Sequence, residues 1–190
     1  VEVAYALTEY DSWLYTYYVY DDYGLLRCVI QPKAVETMMR TQNWQLDDLM
    51  NGLCFRYEYD DRNRMIIKKV PGAAEVWMVY DNRDRLVMTQ DGNMRIEGKW
   101  LYTKYDETNR IIETGRLSSG DDRTTHQAQA DITINYPDLS IFGHEYLTEN
   151  HYDYSDRDID PQDLNKLTAN NNPWPDPVEE SKLVYGKATW

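Results

Sequence analysis

The stretch Met78-Val79-Tyr80-Asp81-Asn82-Arg83-Asp84-Arg85-Leu86 decides the fold. An apolar run ends in Tyr-Asp, and three residues after that Asp stands Asp84, a residue type that tolerates a positive φ angle. A three-residue hairpin loop is a type I turn followed by one left-handed residue, which forms a G1 bulge. The stretch therefore predicts two antiparallel strands that are joined by a tight turn.

The same pattern occurs in four copies that align without gaps, at residues 18–26, 57–65, 78–86 and 103–111. The residues that define the turns are, copy by copy, Tyr20, Asp21 and Gly24; Tyr59, Asp60, Asn63 and Arg64; Tyr80, Asp81, Asp84 and Arg85; and Tyr105, Asp106, Asn109 and Arg110. Four copies in phase indicate a repeated supersecondary unit, because a single Tyr-Asp dipeptide would be a weak signal.

The turn type also predicts which side chains face each other across each hairpin. In the last three copies, the Asp lies opposite an Arg, as in Asp60 with Arg64, and such exposed pairs contribute a few tenths of a kcal/mol. One position further from the turn, each Tyr lies opposite an apolar residue, as in Tyr59 with Met65. The pattern predicts a sheet with one polar face and one aromatic and aliphatic face.

Turn residues also separate the copies, as in Pro71-Gly72 and Asp91-Gly92. The first two copies lie further apart, and the segment between them has apolar residues at helical spacing. We predict a mainly β protein, an antiparallel β-meander of repeated hairpins with a short helical insertion around residues 33–51. The hairpins are expected at about 13–30, 55–70, 76–90 and 100–115, within a single domain of residues 1–190.

The C-terminal part, residues 116–190, is predicted to be less regular. Residues 118–125 are polar and are expected to form a loop, whereas residues 130–136 alternate with period two and predict a strand. Further short strands are expected within 145–154 and 182–189.

Composition excludes several classes of partner. Asp and Glu number 33 against 20 Lys and Arg, for a net charge of −13, so binding to nucleic acid or to an anionic membrane surface is not expected. No apolar stretch is long enough to span a bilayer. The chain begins without Met and is interpreted as a piece of a longer protein.

A search for catalytic and ligand-binding motifs identifies none. His126, His144 and His151 have no partner at metal-ligand spacing and are interpreted as surface or loop residues. No nucleophile motif or phosphate-binding loop occurs. We therefore predict that the protein is not an enzyme and has no catalytic residue, cofactor or metal site.

Two features leave alternatives open. The acidic residues within 153–163 fail the EF-hand pattern, because Pro161 stands where Gly is required; a solvated acidic loop is the default and a looser calcium site is the alternative. Cys28 and Cys54 form either one disulfide or two buried thiols.

The Tyr-Asp copies, with Arg56-Tyr57-Glu58-Tyr59-Asp60, Pro71-Gly72-Ala73 and Thr103-Lys104-Tyr105-Asp106, resemble the RHS (YD-repeat) proteins, in the form found in large surface or secreted proteins of Bacteroidetes. The resemblance is strong over about residues 17–115 and weak over about 143–189. It implies hairpins that join edge to edge into a hollow shell, with neighbouring repeats of the same parent chain as partners. It also implies an enclosed C-terminal toxin domain, as in polymorphic toxins, or a role in adhesion, and a secreted or cell-surface location.

The resemblance does not extend to self-cleavage. The family's signature for that reaction has the form Asp-Pro-x-Gly-Leu, and residues 160–164 have Asp163 in place of Gly. We therefore predict no self-cleavage in this segment.

The aromatic residues suggest a second function. The chain has 17 Tyr, 6 Trp and 2 Phe, and exposed aromatic rings on a sheet can stack on sugars. Tyr17, Trp77 and Trp100 are the candidates for glycan stacking, although packing within the sheet is the favoured explanation of these aromatic residues. We predict a non-enzymatic structural repeat module of a shell, with a carbohydrate-binding or adhesive cell-surface module as the alternative.

Overall fold

The fold is seen in a computed structural model, which describes residues 13–42, 51–152 and 188–189. Nine strands form one antiparallel sheet in chain order, and the last two strands pair with each other. The strands are β1 Tyr17–Tyr20, β2 Leu26–Ile30, β3 Cys54–Tyr59, β4 Met65–Lys69, β5 Val76–Tyr80, β6 Leu86–Gln90, β7 Lys99–Tyr105, β8 Ile111–Ser118, β9 His144–Glu149, β10 His151–Tyr152 and β11 Ala188–Thr189. The helices are α1 Pro32–Thr41, α2 Gly92–Glu97 and α3 Arg123–Ala130. The predicted mainly β meander is confirmed.

The four repeated turns have the predicted geometry. Gly24, Asn63, Asp84 and Asn109 have φ angles of 76°, 61°, 61° and 66°, so each occupies the left-handed position. Just before each turn the register shifts, and the tyrosine pairs with the predicted partner, as in Tyr59 with Met65. The three-residue loop with a bulge is thereby confirmed in all four hairpins.

The helices begin and end at residues suited to those positions. Pro32 occupies the first turn of α1, where a missing N–H costs little. The helix α2 has Asp91 as its N-cap, whose carboxylate accepts from the Met94 amide at 2.8 Å, and it ends at Gly98 with φ 62°. The helix α1 lies in the predicted insertion, whereas α2 replaces what the sequence predicted as a simple turn.

The predicted strand at residues 130–136 and the predicted loop at 118–125 are both corrected. The Asp122 carboxylate accepts from the Thr125 amide at 2.8 Å and begins α3 inside the expected loop. This helix continues to Ala130, and residues 131–136 form turns that lie against the sheet. Of the alternating apolar residues, Ala130 and Tyr136 are buried, whereas Ile132 and Ile134 are exposed, so the alternation does not mark one buried face of a strand.

The main core lies between the central strands and α3. It comprises Val79, Val87, Met88, Trp100, Tyr102, Leu117, Ala130 and Tyr136. A smaller cluster of Cys28, Ala34 and Cys54 packs beneath α1. In contrast, the two edge strands β1 and β9 have every residue exposed, so packing is densest at the centre of the sheet.

Candidate functional site: the turn row

The four repeated turns, residues 21–25, 60–64, 81–85 and 106–110, are the best-defined polar feature of the described residues, and we call them the turn row. Within the second turn, the Asp60 carboxylate accepts from the Arg62 and Arg64 amides through Oδ1, at 3.0 and 2.9 Å. Its Oδ2 accepts from Arg64 Nε at 2.7 Å. This set of three hydrogen bonds recurs at Asp81 and Asp106. One carboxylate therefore fixes both the backbone of its turn and the following arginine.

The first turn keeps this chemistry with a different arginine. Asp21 Oδ1 accepts from the Tyr23 and Leu25 amides at 3.0 and 2.9 Å. Leu25 stands where the other copies have Arg, and the ion pair is formed by Arg27, whose Nε lies 2.7 Å from Asp21 Oδ2. Asp21 and Gly24 thus occupy the same positions as their counterparts in the later turns, and Arg27 supplies the ion pair for which the sequence predicted no partner.

Hydrogen bonds lower the pKa of two carboxylates of the turn row, Asp60 and Asp106. Burial alone would raise the pKa of Asp106, but hydrogen bonds from Arg110 and Thr108 lower it to about 2. The pKa of Asp60 is likewise lowered, because hydrogen bonds and the charge of Arg64 outweigh desolvation. These carboxylates stay ionised at neutral pH and are poorly suited to act as general acids.

Each hairpin also contacts the next one through an arginine and a tyrosine. Arg64 lies 5.0 Å from the centre of the Tyr80 ring, and the Tyr80 hydroxyl donates to the Met65 carbonyl at 2.7 Å. The other three junctions have the same two contacts; they join Arg27 and Leu26 to Tyr59, Arg85 and Leu86 to Tyr105, and Arg110 and Ile111 to Tyr152. Polar and aromatic groups therefore meet at the turn row, and the predicted separation into a polar face and an aromatic face is wrong there.

The register between hairpins explains why this contact recurs. The strands β4 and β5 pair Ile67 with Trp77, and continuing that register places Arg64 opposite Tyr80. The strands β6 and β7 pair Met88 with Tyr102, which places Arg85 opposite Tyr105 in the same way. The repeated contact is therefore built into the backbone alignment of the sheet.

The left-handed residues have a second role that the sequence analysis missed. Asp84 Oδ1 accepts from Arg64 Nη1 at 2.9 Å, and Asn109 Oδ1 accepts from Arg85 Nη1 at 3.0 Å. Both acceptors stand in a turn that follows another turn with Arg at its fifth position. The sequence signal for this contact was Asn or Asp, rather than Gly, at the left-handed position of the turn that follows such an arginine.

Tyr152 was also missed as a member of the repeat. Its ring lies 4.5 Å from the Arg110 guanidinium, and it pairs with Ala188 rather than with a residue just beyond a tight turn. The signal was in the sequence, because Tyr152-Asp153-Tyr154-Ser155-Asp156-Arg157 repeats the spacing of Tyr, Asp and Arg. The acidic region 153–163, for which a calcium site was the alternative, lies outside the described residues.

The three candidates for glycan stacking differ in exposure. Trp100 is 0% exposed within the main core, so its assignment to a sugar platform is wrong. Trp77 is half-buried, and the Arg95 guanidinium lies 4.1 Å from its ring centre. Tyr17 on β1 is exposed. Tyr17 is therefore the only one of the three candidates that is exposed, and its ring stacks on that of Tyr15 with centres 6.5 Å apart.

The interpretation of all three histidines as surface or loop residues is wrong for His126. This residue of α3 is fully buried, with Nδ1 at 2.5 Å from the Tyr136 hydroxyl. Its Nε2 has no hydrogen-bond partner, and burial lowers its pKa. His144 is exposed and His151 is half-buried. Among the described residues, no group of His, Cys, Asp and Glu is arranged to hold a metal ion.

Cys28 and Cys54 are thiols that are not joined by a disulfide. Both are buried, and burial raises the pKa of Cys28 to about 11. The alternative of two buried thiols therefore describes this structure. Within the described part of the chain, no helix is long and apolar enough to cross a bilayer.

Comparisons with known proteins give a partial structural likeness. No family model and no curated protein matches the sequence. The chain is similar to part of the crystal structure of TcdB2-TccC3-TEV, with a TM-score of 0.46 and 12% identity over 74% of this chain and 5% of that one. It is also similar to part of the Photorhabdus luminescens Tc holotoxin pore, with a TM-score of 0.46 and 13% identity over 72% of this chain and 5% of that one. The chain thus spans about a twentieth of the length of the chains it matches.

Proposed function

We propose that this chain is a non-enzymatic structural repeat module, one stretch of the β-sheet wall of a large exported RHS (YD-repeat) protein that encloses or displays a C-terminal, toxin-like region. The observation that carries this proposal is the recurrence of one junction between successive hairpins. Each junction contributes an arginine, a tyrosine ring and a hydroxyl-to-carbonyl hydrogen bond, and the two central junctions have these contacts in one register. Such a unit can be added repeatedly, because each hairpin contacts mainly its neighbours.

The exposed edges of the sheet support the same function. A single hairpin is marginally stable in water, whereas several hairpins side by side bury a continuous face. Among the described residues the sheet ends in β1 and β9, whose residues are all exposed, so these two strands present unpaired backbone groups at its edges. We propose that neighbouring repeats of the parent chain cover these edges, that residues 1–190 act as one domain, and that the assembled protein is secreted or lies at the cell surface.

Electron microscopy of the longer parent protein tests this function. A short epitope inserted after Gly72, in an exposed turn, marks the segment for antibody labelling. We expect a hollow particle with the label on its wall. A solid particle, or a label on a separate bead outside the particle, would contradict the proposal.

The exposed aromatic residues of β1 favour glycan binding as a second candidate function. Tyr17, Tyr18 and Tyr20 all lie on this edge strand, and each is exposed. A glycan array with the whole chain tests this function, and Tyr17→Ala is expected to abolish any hit that depends on stacking. An array without hits would reject it while leaving the shell function untouched.

A further inference from the structure

The edge strand β1 has the receiving half of the junction that recurs between hairpins. It ends in Tyr20, which pairs with Leu26 as Tyr59 pairs with Met65. The tyrosines that receive an arginine from a preceding hairpin, Tyr59, Tyr80 and Tyr105, are half-buried, whereas Tyr20 is 58% exposed. Tyr20 therefore stands in the position of a junction tyrosine with its ring open to solvent.

The composition of β1 supports pairing with a further strand. Proteins commonly protect an edge strand with charged residues or proline. The other edge strand, β9, contains Glu145 and Glu149, but β1 consists of Tyr17, Tyr18, Val19 and Tyr20 and has no charge. Of the two edges, β1 is thus the one without electrostatic protection against another strand.

We propose that β1 binds the second strand of a preceding hairpin of the same repeat, antiparallel to it, with an arginine of that hairpin stacked on Tyr20. The carbonyl of the residue after that arginine accepts the Tyr20 hydroxyl, as the Leu86 carbonyl accepts from Tyr105. This inference rests on the proposed function and names the chemistry of its partner. The observation that supports this inference is that the same contact between arginine and tyrosine already occurs at four places in the described structure.

An arginine fits this position better than a lysine. A planar guanidinium stacks on an aromatic ring and still forms directed hydrogen bonds from its edge. Arg85 illustrates this, because it stacks on Tyr105 while its Nη1 lies 3.3 Å from the Asp106 carbonyl oxygen. The carbonyl of Asp21 is the equivalent acceptor beside Tyr20.

The first turn differs from the later ones in a way that permits a gain of affinity. Gly24 stands where Asp84 and Asn109 accept from the arginine of the preceding hairpin. Because Asn tolerates positive φ, the substitution Gly24→Asn keeps the turn and adds the missing acceptor. If an arginine of the preceding hairpin stacks on Tyr20, the Gly24→Asn chain should bind that hairpin more tightly.

The test titrates the whole chain with a backbone-cyclised hairpin of residues 76–90, which carries Arg85 and has its strands joined in advance. Amide chemical shifts locate the binding edge, and fluorescence anisotropy gives the dissociation constant. We expect shifts in β1, and about three- to tenfold weaker binding for the hairpin with Arg85→Gln or the chain with Tyr20→Phe. Gly24→Asn is expected to tighten binding about threefold, and Tyr146→Phe on β9 is the matched control without effect.

Several results would overturn the inference. The first two are equal binding of the wild-type and Arg85→Gln hairpins, and amide chemical-shift changes at β9 instead of β1. The others are absence of binding at millimolar hairpin concentration, and occupation of β1 by a second copy of the chain or by a glycan. A hollow parent particle combined with any of these results would retain the shell function and reject this junction. A solid parent particle combined with Arg-dependent binding at Tyr20 would reject the shell function and retain this junction.

Discussion

The guanidinium of Arg85 lies 4.9 Å from the centre of the Tyr105 ring, and these two residues belong to successive hairpins. The same guanidinium donates a hydrogen bond within its own turn, from Nε to Asp81 Oδ2 at 2.7 Å. Its Nη2 also donates to the Ile134 carbonyl at 2.8 Å, in the segment after α3. The Arg85 side chain therefore connects two hairpins and the segment after α3, and its removal should affect all three.

Replacing Arg85 by Met is expected to destabilise the protein by about 3 kcal/mol, because it leaves the buried Asp81 carboxylate without its counter-ion. The side chains of Arg85 and Asp81 are 10% and 0% exposed. Urea unfolding followed by tryptophan fluorescence gives the free energy of unfolding.

Arg62→Met is the matched control, since the Arg62 and Asp84 side chains are 53% and 55% exposed. An exposed pair contributes less than about 1 kcal/mol. Similar losses in the two variants would show that the Arg85 ion pair has no special role.

Replacing Asn63 by Val is expected to destabilise the protein by about 1–2 kcal/mol, because a β-branched residue resists the φ of 61° at this position. Asn63→Gly serves as the control, since Gly adopts this conformation readily and Gly24 does so in the first turn. Thermal unfolding of the two variants measures the difference. An unchanged melting temperature for Asn63→Val would contradict the left-handed requirement.

The turns could be predicted from the sequence because their determinants are local. Asp60 and Arg64 lie four residues apart, and the geometry of one loop brings them together. The contacts between hairpins could not be predicted in this way. They depend on the register between strands such as β4 and β5, and the connections between successive hairpins differ in length.

The misassigned C-terminal residues show the limit of periodicity. Residues 130–136 alternate like a strand, yet Asp122 caps a helix that continues to Ala130. Burial of His126 likewise depends on how α3 packs against Trp100, with ring centres 4.8 Å apart. Neither feature is visible in local composition, because tertiary packing decides both.

Replacing Gly115 by Ala is expected to destabilise the protein by about 2–3 kcal/mol through overpacking. A Cβ atom at this position would collide with the Glu145 carbonyl oxygen and with the Tyr102 ring. Both neighbours are held in the sheet, so the strain cannot relax easily. Gly120→Ala is the control, because a Cβ atom there would have no neighbour within 4 Å. Chemical denaturation should separate the two variants, and equal stabilities would show that β8 can move away from β9.

Acidification from about pH 6.5 to 5 is expected to destabilise the protein through His126. Burial lowers its pKa in the folded state below the ordinary 6.5, so the unfolded chain binds the proton first as the pH falls. The stability contributed by neutral His126 is therefore fully present above pH 6.5 and is lost progressively below it. The charged groups that face this ring are Asp121 and Asp122 at the start of α3, and they offset the effect only in part.

We would measure the free energy of unfolding between pH 7 and pH 5 for the wild-type chain and for His126→Leu. The difference between the two pH profiles isolates the contribution of His126. The variant should show a smaller loss of stability over that range, even if it is less stable at pH 7. Asp106 does not interfere, because its pKa is lowered to about 2 and its contribution to stability is lost only as the pH falls below about 5. His144→Leu, at an exposed histidine, should leave the wild-type pH dependence unchanged. Equal pH dependence in wild type and His126→Leu would exclude His126 as the acid-sensitive group.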